Sequence, residues 1–329
     1  MRRLLKFIFI LIVAVALWLA WGLLLPVNPG QTKFVMLKPG WSTRHIANEL
    51  QANGVIHSAR ALLLYHYVMK PRTLKAGEYK FEDTASALAI HDRLTRGDVY
   101  VHSVTIPEGF NMFEIGETIE AAGLGKQQEF IDQAKSQFAL IKDLDPEAKS
   151  LEGYLFPDTY GFTRTQTMED IVATMVRRFK QEARAIGLTT DVHRVVTLAA
   201  IVEKETAAAS ERPVVAGVYL NRLQKGMALD ADPSVIYAAR LAGRYQGTIY
   251  QSDLQFDSPY NTYKHSGLPP GPIANPGRAS LEAAMHPTET DYLFFVSDNN
   301  GHHRFARTMD EHAHNVALYR RAVAASATR

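Results

Sequence analysis

The longest apolar run in the chain lies near its start, at residues 7–25 (FIFILIVAVALWLAWGLLL). These 19 residues include no charged side chain and no proline, and at about 1.5 Å per residue a helix of this length crosses a bilayer core. The apolar part of a cleaved signal peptide is shorter and ends in small residues, whereas this run ends in three leucines and Pro26. The pattern therefore favours an uncleaved transmembrane helix over residues 7–25, preceded by a tail at residues 1–6 and followed by a short stalk at 26–30.

Beyond the stalk, the apolar positions predict a strand–helix–helix–strand unit. A short strand pattern leads to Pro39 and Gly40, and apolar residues then recur at near-helical spacing. Ser42 stands where the N-cap of that helix is expected. A second apolar run at 61–69 predicts another helix, and residues 77–81 (GEYKF) have the pattern of a returning strand.

A similar pattern returns further along the chain. Residues 101–124 carry a strand pattern, then the turn Pro107-Glu108-Gly109, then apolar residues at helical spacing. This turn lies 69 residues after Lys38-Pro39-Gly40, so the two segments form a weak two-copy repeat. The order of strand, glycine turn and helix resembles the LysM module, a small unit that binds N-acetylglucosamine polymers. That resemblance implies a glycan-binding region at 26–149, and the alternative is a generic α+β domain with no ligand.

From about residue 150 helical patterns dominate. The apolar positions predict helices at 168–186, 190–206, 211–225, 279–285 and from about 309, and a hairpin in which the strand at 291–297 turns at 299–301 into a partner at 303–306. Residues 258–277 hold five prolines and three glycines, which predicts a stiff, irregular segment able to present backbone groups to a ligand. The chain therefore reads as an α+β protein, with an N-terminal transmembrane helix, a LysM-like α+β region and a mixed α+β domain at 150–329.

Composition narrows the functional classes. A length of 329 residues suggests about two domains. Lys and Arg number 36 against 34 Asp and Glu, and three of the basic residues precede residue 7. The remainder is close to neutral, which argues against a nucleic-acid partner because such binding needs a basic surface. The chain has no cysteine, so disulfides, thiol nucleophiles and thiolate metal sites are excluded.

The charges at the N-terminus also predict an orientation. Arg2, Arg3 and Lys6 precede the apolar run, and by the positive-inside rule they stay in the cytoplasm. Trp18 and Trp21 suit the outer membrane interface. The prediction is a single-pass protein of the inner membrane whose remaining residues face the periplasm, where its substrate must also lie.

Residues 195–206 (VVTLAAIVEKET) carry the most informative pattern for chemistry. At about 100° per residue this segment is apolar on nearly every side, which predicts a buried helix. It nevertheless carries Glu203 and Glu205, whose side chains point in different directions. Burial raises the pKa of a carboxyl so that it can act as a general acid near neutral pH, and the alternative is an ion pair with an arginine such as Arg212 or Arg222. The spacing alone does not choose between the two glutamates.

Six longer motifs follow one another along the chain. They are LEGYLFPDTY (151–160), VEKET (202–206), NRL with the following GM (221–227), DPSVIYA (232–238), YNTY (260–263) and GLPPGPIANPG (267–277). Together they resemble the endolytic murein transglycosylase family, whose members are also called YceG-like proteins. Ser234 departs from the threonine expected after the Asp-Pro pair but keeps the hydroxyl. The resemblance covers the whole chain, from the anchor to the C-terminal domain.

The resemblance implies a membrane-anchored enzyme that cuts peptidoglycan glycan strands within their length. It assigns catalysis to Glu205, the second glutamate of the Glu-Lys-Glu triplet, in the domain at 150–329. The implied reaction is non-hydrolytic: Glu205 protonates the oxygen between N-acetylmuramic acid and N-acetylglucosamine, then accepts the proton of the muramoyl C6 hydroxyl as that oxygen attacks C1. The product is a 1,6-anhydro end. One carboxyl suffices because the substrate supplies the nucleophile, whereas ordinary glycosidases use two.

The family further implies partners and substrate contacts. Peptidoglycan synthases at the membrane are the implied protein partners, which would make the enzyme a terminator of glycan elongation. Asn261 and the 267–277 loop are expected to support the oxocarbenium-like transition state with their dipoles, and tyrosines to stack on sugars or donate from their hydroxyls. Half-buried packing is the alternative for each tyrosine. The predicted substrate-binding residues are Tyr154, Tyr260, Asn261, Tyr263, Pro270, Gly271 and Asn275.

Two other functions fit the sequence. A hydrolytic muramidase would use Glu205 as the acid and Asp230 or Asp232 as its partner, although Asp232 is expected to cap a turn or helix before Pro233. A non-enzymatic, membrane-anchored scaffold would bind peptidoglycan without cleaving it.

Neither a metal nor a cofactor is predicted. The histidines near the C-terminus do not have the HExxH spacing of a zinc site; they are His302, His303, His312 and His314. The sequence also has no P-loop, no dinucleotide-binding GxGxxG and no GxSxG motif.

Overall fold

The computed structural model describes residues 1–69 and 72–327. It divides into two compact units. Unit 1 comprises Met1–Ser103 and Gly161–Thr167, and unit 2 comprises Val104–Tyr160 and the described chain from Met168 onward. The predicted division into a glycan-binding region at 26–149 and a catalytic domain at 150–329 concerns function and stays a prediction, and residues 328–329 lie outside the described part of the chain.

The N-terminal apolar run forms the helix α1 (Arg2–Leu23). Of the described residues, only those of α1 form a helix long and apolar enough to cross a membrane, a property that a signal sequence shares. Its last turn belongs to unit 1: Gly22 is buried, Leu23 packs against the hydrophobic core and the ring of Trp21 stacks on His57 at 4.9 Å. Residues 2–6 are also helical, so the helix begins earlier than the predicted span.

The predicted stalk after α1 is not a free linker. Val27 forms an antiparallel bridge with Ala85, in which each backbone N–H donates to the other carbonyl at 2.9 and 3.1 Å. Pro29 is buried. The short stalk is therefore packed onto the rest of unit 1 through this bridge.

The rest of unit 1 is built on a strand–helix–helix–strand unit, which confirms the predicted order of elements. Its elements are β1 (Lys33–Leu37), α2 (Thr43–Ala52), α3 (Ala59–Val68) and β2 (Gly77–Phe81), followed by α4 (Ala87–Arg96), which the sequence patterns did not predict. The strands β1 and β2 are antiparallel, with Lys33 opposite Phe81. Ser42 is the N-cap of α2 and accepts a hydrogen bond from the backbone N–H of His45, as predicted.

The second copy of the repeat has the same order of elements. The strand β3 (His102–Thr105) is followed by α5 (Met112–Ala121), α6 (Gln127–Ser136) and β4 (Thr159–Phe162), and β3 pairs with β4. The strand and the first helix each begin 69 residues after their counterparts in the first copy. Gly40 and Gly109, at the two turns, both have left-handed backbones with φ of 82° and 77°. The division between the two units falls within β3 and β4.

The rest of unit 2 is mainly helical and is organised around α8. Its elements are α7 (Met168–Ala185), α8 (Val192–Glu205), α9 (Arg212–Gln224), α10 (Asp232–Leu241), α11 (Gln251–Leu254), α12 (Arg278–Met285), β5 (Phe294–Ser297), β6 (His303–Ala306) and α13 (Met309–Ala327). The helix α8 packs against α9, α10 and α12, and its residues from Val196 to Val202 are all buried. The antiparallel hairpin β5–β6 packs on α13. The predicted buried helix, the hairpin and the C-terminal helix are confirmed.

The proline-rich segment is irregular, as predicted. None of residues 258–277, all of which the structure describes, lies in a helix or strand. Its second part is buried from Gly271 to Gly277, and Pro272 approaches Gly153 so closely that a Cβ on Gly153 would lie 2.4 Å from the proline Cγ. The same Cβ would lie 2.9 Å from Cγ1 of Val196 on α8. Gly153 therefore allows the irregular segment to pack against α8.

We predict that Gly153→Ala destabilises the protein much more than Gly187→Ala. Both glycines have left-handed backbones, with φ of 89° and 74°, and alanine there costs about 1–2 kcal/mol. Only Gly153 has neighbours that a Cβ would overlap, whereas nothing lies within 4 Å of a Cβ on Gly187. Overpacking adds about 1–3 kcal/mol, so the Gly153 variant should unfold at a clearly lower temperature. Equal melting temperatures for the two variants would contradict this packing.

Candidate active site

A cleft of about 400 Å³ in unit 2 has Glu205 in its wall. The wall is formed by the end of α8, one side of α9, the turn that leads into α10, and the elements β5 and α13. The residues that line it are Glu205, Tyr219, Arg222, Leu229, Asp230, Asp232, Tyr263, Phe294, Phe295, Met309 and His312. Carboxylates, hydroxyls and aromatic rings thus share one cavity, a composition suited to a polar ring-shaped ligand such as a sugar.

Glu205 is the last residue of α8 and is half-buried at the cleft. Removal of its carboxyl from water raises the pKa to about 7. The hydroxyl of Tyr219 donates to Oε1 at 2.8 Å, which opposes the rise, and the charge of Asp232 adds to it while that of Arg222 opposes it. A carboxyl with this pKa is protonated in a large fraction of molecules near neutral pH, so it can give a proton and take one back.

Glu203 occupies a different environment on the other side of α8. Its side chain is only 5% exposed and pairs with the Arg212 guanidinium, whose Nη2 lies 2.9 Å from Oε1. The backbone N–H of Gly277 donates to Oε2, also at 2.9 Å. Both oxygens of Glu203 are therefore engaged inside the protein. The predicted divergence of the two glutamates is confirmed, and the geometry separates them where the spacing did not: Glu205 faces the cleft and Glu203 does not.

Two residues of α9 position the groups around Glu205, and the sequence patterns did not select either as a site residue. Tyr219 is 2% exposed, and the ring of Phe295 packs edge-on against it at 5.8 Å. Arg222 follows three residues later on the same face of α9. The sequence signal for both residues is their three-residue spacing: Arg222 belongs to the NRL motif, and Tyr219 lies one helical turn before it.

Arg222 holds together the segments that form the cleft. Its Nε donates to the carbonyl of Leu293, just before β5, at 2.7 Å. Its Nη1 donates to the carbonyls of Ala228 and Leu229 at 3.0 and 3.1 Å and to the carboxylate of Asp230 at 3.1 Å. One guanidinium therefore ties α9 to the strand on one side and to the turn before α10 on the other.

Both aspartates considered as a second carboxylate line the cleft. Asp230 has a left-handed backbone with φ of 50° and is ion-paired with Arg222. Asp232 accepts a hydrogen bond from the Tyr263 hydroxyl at 2.7 Å. The expectation that Asp232 caps a helix was wrong, because the N-cap of α10 is Ala231 and Asp232 is the first residue of the helix. The positive end of the helix dipole still stabilises a carboxylate at this position.

Tyr263 is the one predicted substrate-binding residue that lines the cleft in the part of the chain the structure describes. Asn261 lies just behind it and is fully buried. Its Nδ2 donates to the carbonyls of Leu254 and Phe256 at 3.1 and 2.8 Å, and its Oδ1 accepts from the backbone N–H of Tyr263 at 3.0 Å. Through these hydrogen bonds the Asn261 side-chain amide stabilises the loop that carries Tyr263.

The other predicted residues lie away from the cleft lining. Tyr154 is fully buried, and its hydroxyl donates to Asp145. The Tyr260 ring packs against Tyr237 at 5.1 Å. Gly271 is buried, and the exposed Pro270 accepts a hydrogen bond through its carbonyl from Nε2 of His193 at 3.1 Å. Their assignment as substrate contacts stays a prediction, and these internal bonds indicate that several of them shape the fold.

Asn275 belongs to a second buried carboxyl cluster, centred on Glu152. Its Nδ2 donates to the Glu152 carboxyl at 2.8 Å, and the backbone N–H of Met112 donates to both carboxyl oxygens at 3.0 and 3.1 Å. Burial raises the pKa of Glu152 to about 8. The sequence patterns did not single out Glu152, although an acid amid the apolar residues of LEGYLFPDTY was a visible signal. The cluster joins distant parts of unit 2 and does not line the cleft.

The C-terminal histidines are divided among different contacts. Nδ1 of His302 and of His303 lie 3.1 and 2.7 Å from the carboxylate oxygens of Glu211, and His312 lines the cleft. Within residues 1–69 and 72–327, no three His, Asp or Glu side chains are grouped for metal binding.

Comparison with known proteins places this arrangement in a family. The model of the YceG-like family matches residues 35–318. The endolytic murein transglycosylase of Bacillus subtilis is 36% identical over 300 residues, covering 84% of this chain and 82% of that protein. The protein of the same name from Streptococcus pneumoniae is 29% identical over 331 residues, and the match covers 89% of this chain and 60% of the relative.

A solved structure agrees with the sequence matches. The crystal structure of a YceG-like protein from Listeria monocytogenes superposes with a TM-score of 0.56 at 32% identity, and the match covers 86% of this chain and 98% of that one. The relatives thus match over most of the chain, and the family model spans all of the residues that line the cleft. This chain belongs to the YceG-like family.

Proposed function

We propose that the protein is an endolytic peptidoglycan lytic transglycosylase with Glu205 as its catalytic residue. The observation that carries the proposal is the contrast within α8: Glu203 is held by Arg212, whereas the carboxyl of Glu205 faces the cleft with a pKa of about 7. The name shared by the relatives from B. subtilis and S. pneumoniae supplies the reaction class and peptidoglycan as the substrate.

The chemistry follows from a single carboxyl that both donates and accepts a proton. Protonated Glu205 gives its proton to the glycosidic oxygen between N-acetylmuramic acid and N-acetylglucosamine, and the bond from that oxygen to C1 breaks. The carboxylate then takes the proton of the muramoyl C6 hydroxyl while O6 forms a bond to C1. The products are a 1,6-anhydro end and a new free hydroxyl, and no water is consumed. The carboxyl ends the cycle protonated, which suits a pKa near 7.

The surroundings of Glu205 support the charge that develops in this reaction. The positive charge at C1 in the oxocarbenium-like transition state is stabilised by carboxylates across the cleft, and Asp230 and Asp232 supply them. Tyr219 fixes the orientation of the Glu205 carboxyl through its 2.8 Å hydrogen bond. Asn261 acts indirectly by holding the Tyr263 loop, and the buried part of the 267–277 segment supports α8 from behind.

A hydrolytic muramidase is the second candidate, because Asp232 lies in the same cleft and its charge raises the pKa of Glu205. In that reaction Asp232 would activate water or attack C1 itself. The two reactions differ in their products: mass spectrometry of cleaved strands should show anhydro ends about 18 Da lighter than hydrolysed ends, because no water is added. Reducing ends would favour the hydrolase.

The helix α1 is proposed to be an uncleaved, single-pass anchor with its N-terminus in the cytoplasm and the enzyme in the periplasm. Its last turn supports this reading, since cleavage there would remove Trp21, Gly22 and Leu23 from the packing of unit 1. The two-copy strand–helix–helix–strand pattern supports a LysM-like, glycan-binding role for the region at 26–149.

Peptidoglycan synthases at the same membrane are the proposed protein partners, so that glycan strands are cut as they are made.

We predict that Glu205→Gln and Glu203→Gln fail in different ways. Glu205→Gln keeps the side-chain shape and removes the proton that is transferred, so cleavage of uncrosslinked glycan strands should fall by about 10³-fold or more, with little change in melting temperature. Glu203→Gln leaves Arg212 with one neighbouring carboxylate, that of Glu108 at 3.4 Å, and should cost about 3 kcal/mol of folding stability.

Activity and thermal unfolding measured on the same preparations check both expectations. A Glu205→Gln protein that still cleaves at the wild-type rate would overturn the assignment of Glu205. A wild-type protein that binds glycan strands but does not cleave them would instead indicate a scaffold. The Glu203→Gln protein is the matched control, because it has the same chemical change two residues away.

We also predict that Tyr219→Phe moves the pH dependence of cleavage to higher pH. The first step needs the protonated acid, so kcat/KM should fall as the pH rises through the pKa of Glu205, at about 7. The Tyr219 hydrogen bond favours the carboxylate and so lowers this pKa. Its removal should raise the pKa and shift the high-pH side of the profile upward. An unchanged or downward-shifted profile would show that this hydrogen bond does not control the acid.

A further inference from the structure

An exposed apolar surface runs along the outer side of α3. Leu64, Tyr67 and Val68 are 45%, 64% and 72% exposed, and the adjoining Met69 is 55% exposed. Positions 64, 67 and 68 are three and four residues apart, so they lie on one side of the helix. Single exposed apolar residues are ordinary, whereas a continuous group marks a surface that contacts a partner. We call these four residues the α3 surface.

The charges carried by the segment around the α3 surface have one sign, and the nearby Asp92 of α4, which lines the same cavity as Val68 and Met69, is ion-paired with Arg96. Residues 50–77 contain no aspartate or glutamate and four basic residues. Arg60 is exposed on the same side of α3, one turn before Leu64, and Arg72 and Lys75 are exposed just beyond the helix. Apolar side chains flanked by cations are typical of segments that lie in the headgroup layer of a membrane, because the cations bind lipid phosphates.

The position of α3 next to α1 favours lipid as the partner. A Cβ on Gly22 would lie 2.7 Å from the Cβ of Ala61, so α1 and α3 are in direct contact at the last turn of α1. A helix of 22 residues is about 33 Å long, and a bilayer core is about 30 Å thick. If α1 spans the bilayer, its last turn therefore lies at the outer boundary of the hydrocarbon core, and α3 begins there.

The connection between α1 and the rest of unit 1 is also short and held in place. The two hydrogen bonds between Val27 and Ala85 fix the chain four residues after α1 ends. Leu23 packs against the same hydrophobic core as the helices and strands of unit 1. The bilayer position of α1 therefore sets that of the α3 surface.

We propose that the α3 surface lies in the outer phospholipid headgroup layer of the membrane that α1 spans, as a second, peripheral membrane contact. This inference rests on the proposed anchor. The two contacts together fix the height and tilt of unit 1 above the bilayer, which a single helix does not do. Unit 1 is thereby kept at the membrane surface, where newly made glycan strands emerge.

The absence of cysteine from the chain allows a direct test with single-cysteine spin labels. The full-length protein is reconstituted in vesicles of phosphatidylcholine and phosphatidylglycerol, and each label is tested for contact with oxygen, which concentrates in lipid, and with a water-soluble nickel chelate. The α3 surface is labelled in Tyr67→Cys and, independently, in Leu64→Cys. Asn48→Cys, exposed on α2, is the matched control, and Val13→Cys in α1 reports the anchor.

The proposal predicts that the labels at 64 and 67 have a ratio of oxygen to nickel accessibility several-fold higher than the label at 48, though lower than the label at 13. Labels at 64 and 67 that are as accessible to nickel as the label at 48, with the label at 13 in lipid, would overturn the proposal and leave the anchor intact. A label at 13 in contact with water would overturn the anchor and the peripheral contact together.

Discussion

The ion pair between Arg212 and Glu203 is the constraint on which the candidate site depends. Both side chains are nearly buried, at 9% and 5% exposure, and the second oxygen of Glu203 is bound by the backbone N–H of Gly277. A charge buried in this way is tolerated only with its partners in place, so the pair fixes the rotation of α8 about its axis. Two residues further along, Glu205 must then point to the opposite side, into the cleft.

Opposing interactions at the cleft set the pKa of Glu205. Removal from water favours the neutral acid, whereas the Tyr219 hydrogen bond and the charge of Arg222 favour the carboxylate. The net rise to a pKa of about 7 corresponds to roughly 3 kcal/mol relative to a carboxyl in water. Arg222 also bonds the backbone before β5 and the turn before α10, so this side chain contributes both to the charge around the acid and to the shape of its cleft.

The sequence predicted the fold better than the site. Apolar spacing along the chain predicted α8, α9, α13 and the two-copy repeat, because local sequence carries these patterns. The two glutamates were also correctly placed on different sides of α8. Glu203 and Arg212 lie on different helices, α8 and α9, so their ion pair depends on how these helices pack. Spacing along the chain does not show which glutamate meets which arginine. The resemblance places Asn261 and Asn275 among the substrate contacts, which stays a prediction. In the structure both amides hydrogen-bond groups inside the protein, contacts that spacing along the chain does not show. Tyr219 was missed because its role depends on packing between helices.

This fold holds one glutamate of α8 in an ion pair and keeps the other available as a protonated acid at the cleft. The most direct measurement is a titration of glutamate side-chain carboxyls by carbon-13 NMR on the full-length protein, with Glu205→Gln used to assign the signal. We expect a carboxyl signal that titrates near pH 7 and is absent from Glu205→Gln, distinct from the signal of Glu152, whose pKa is about 8 and which remains in that variant. A Glu205 signal that titrates near 4.5, the ordinary value for glutamate, would contradict it.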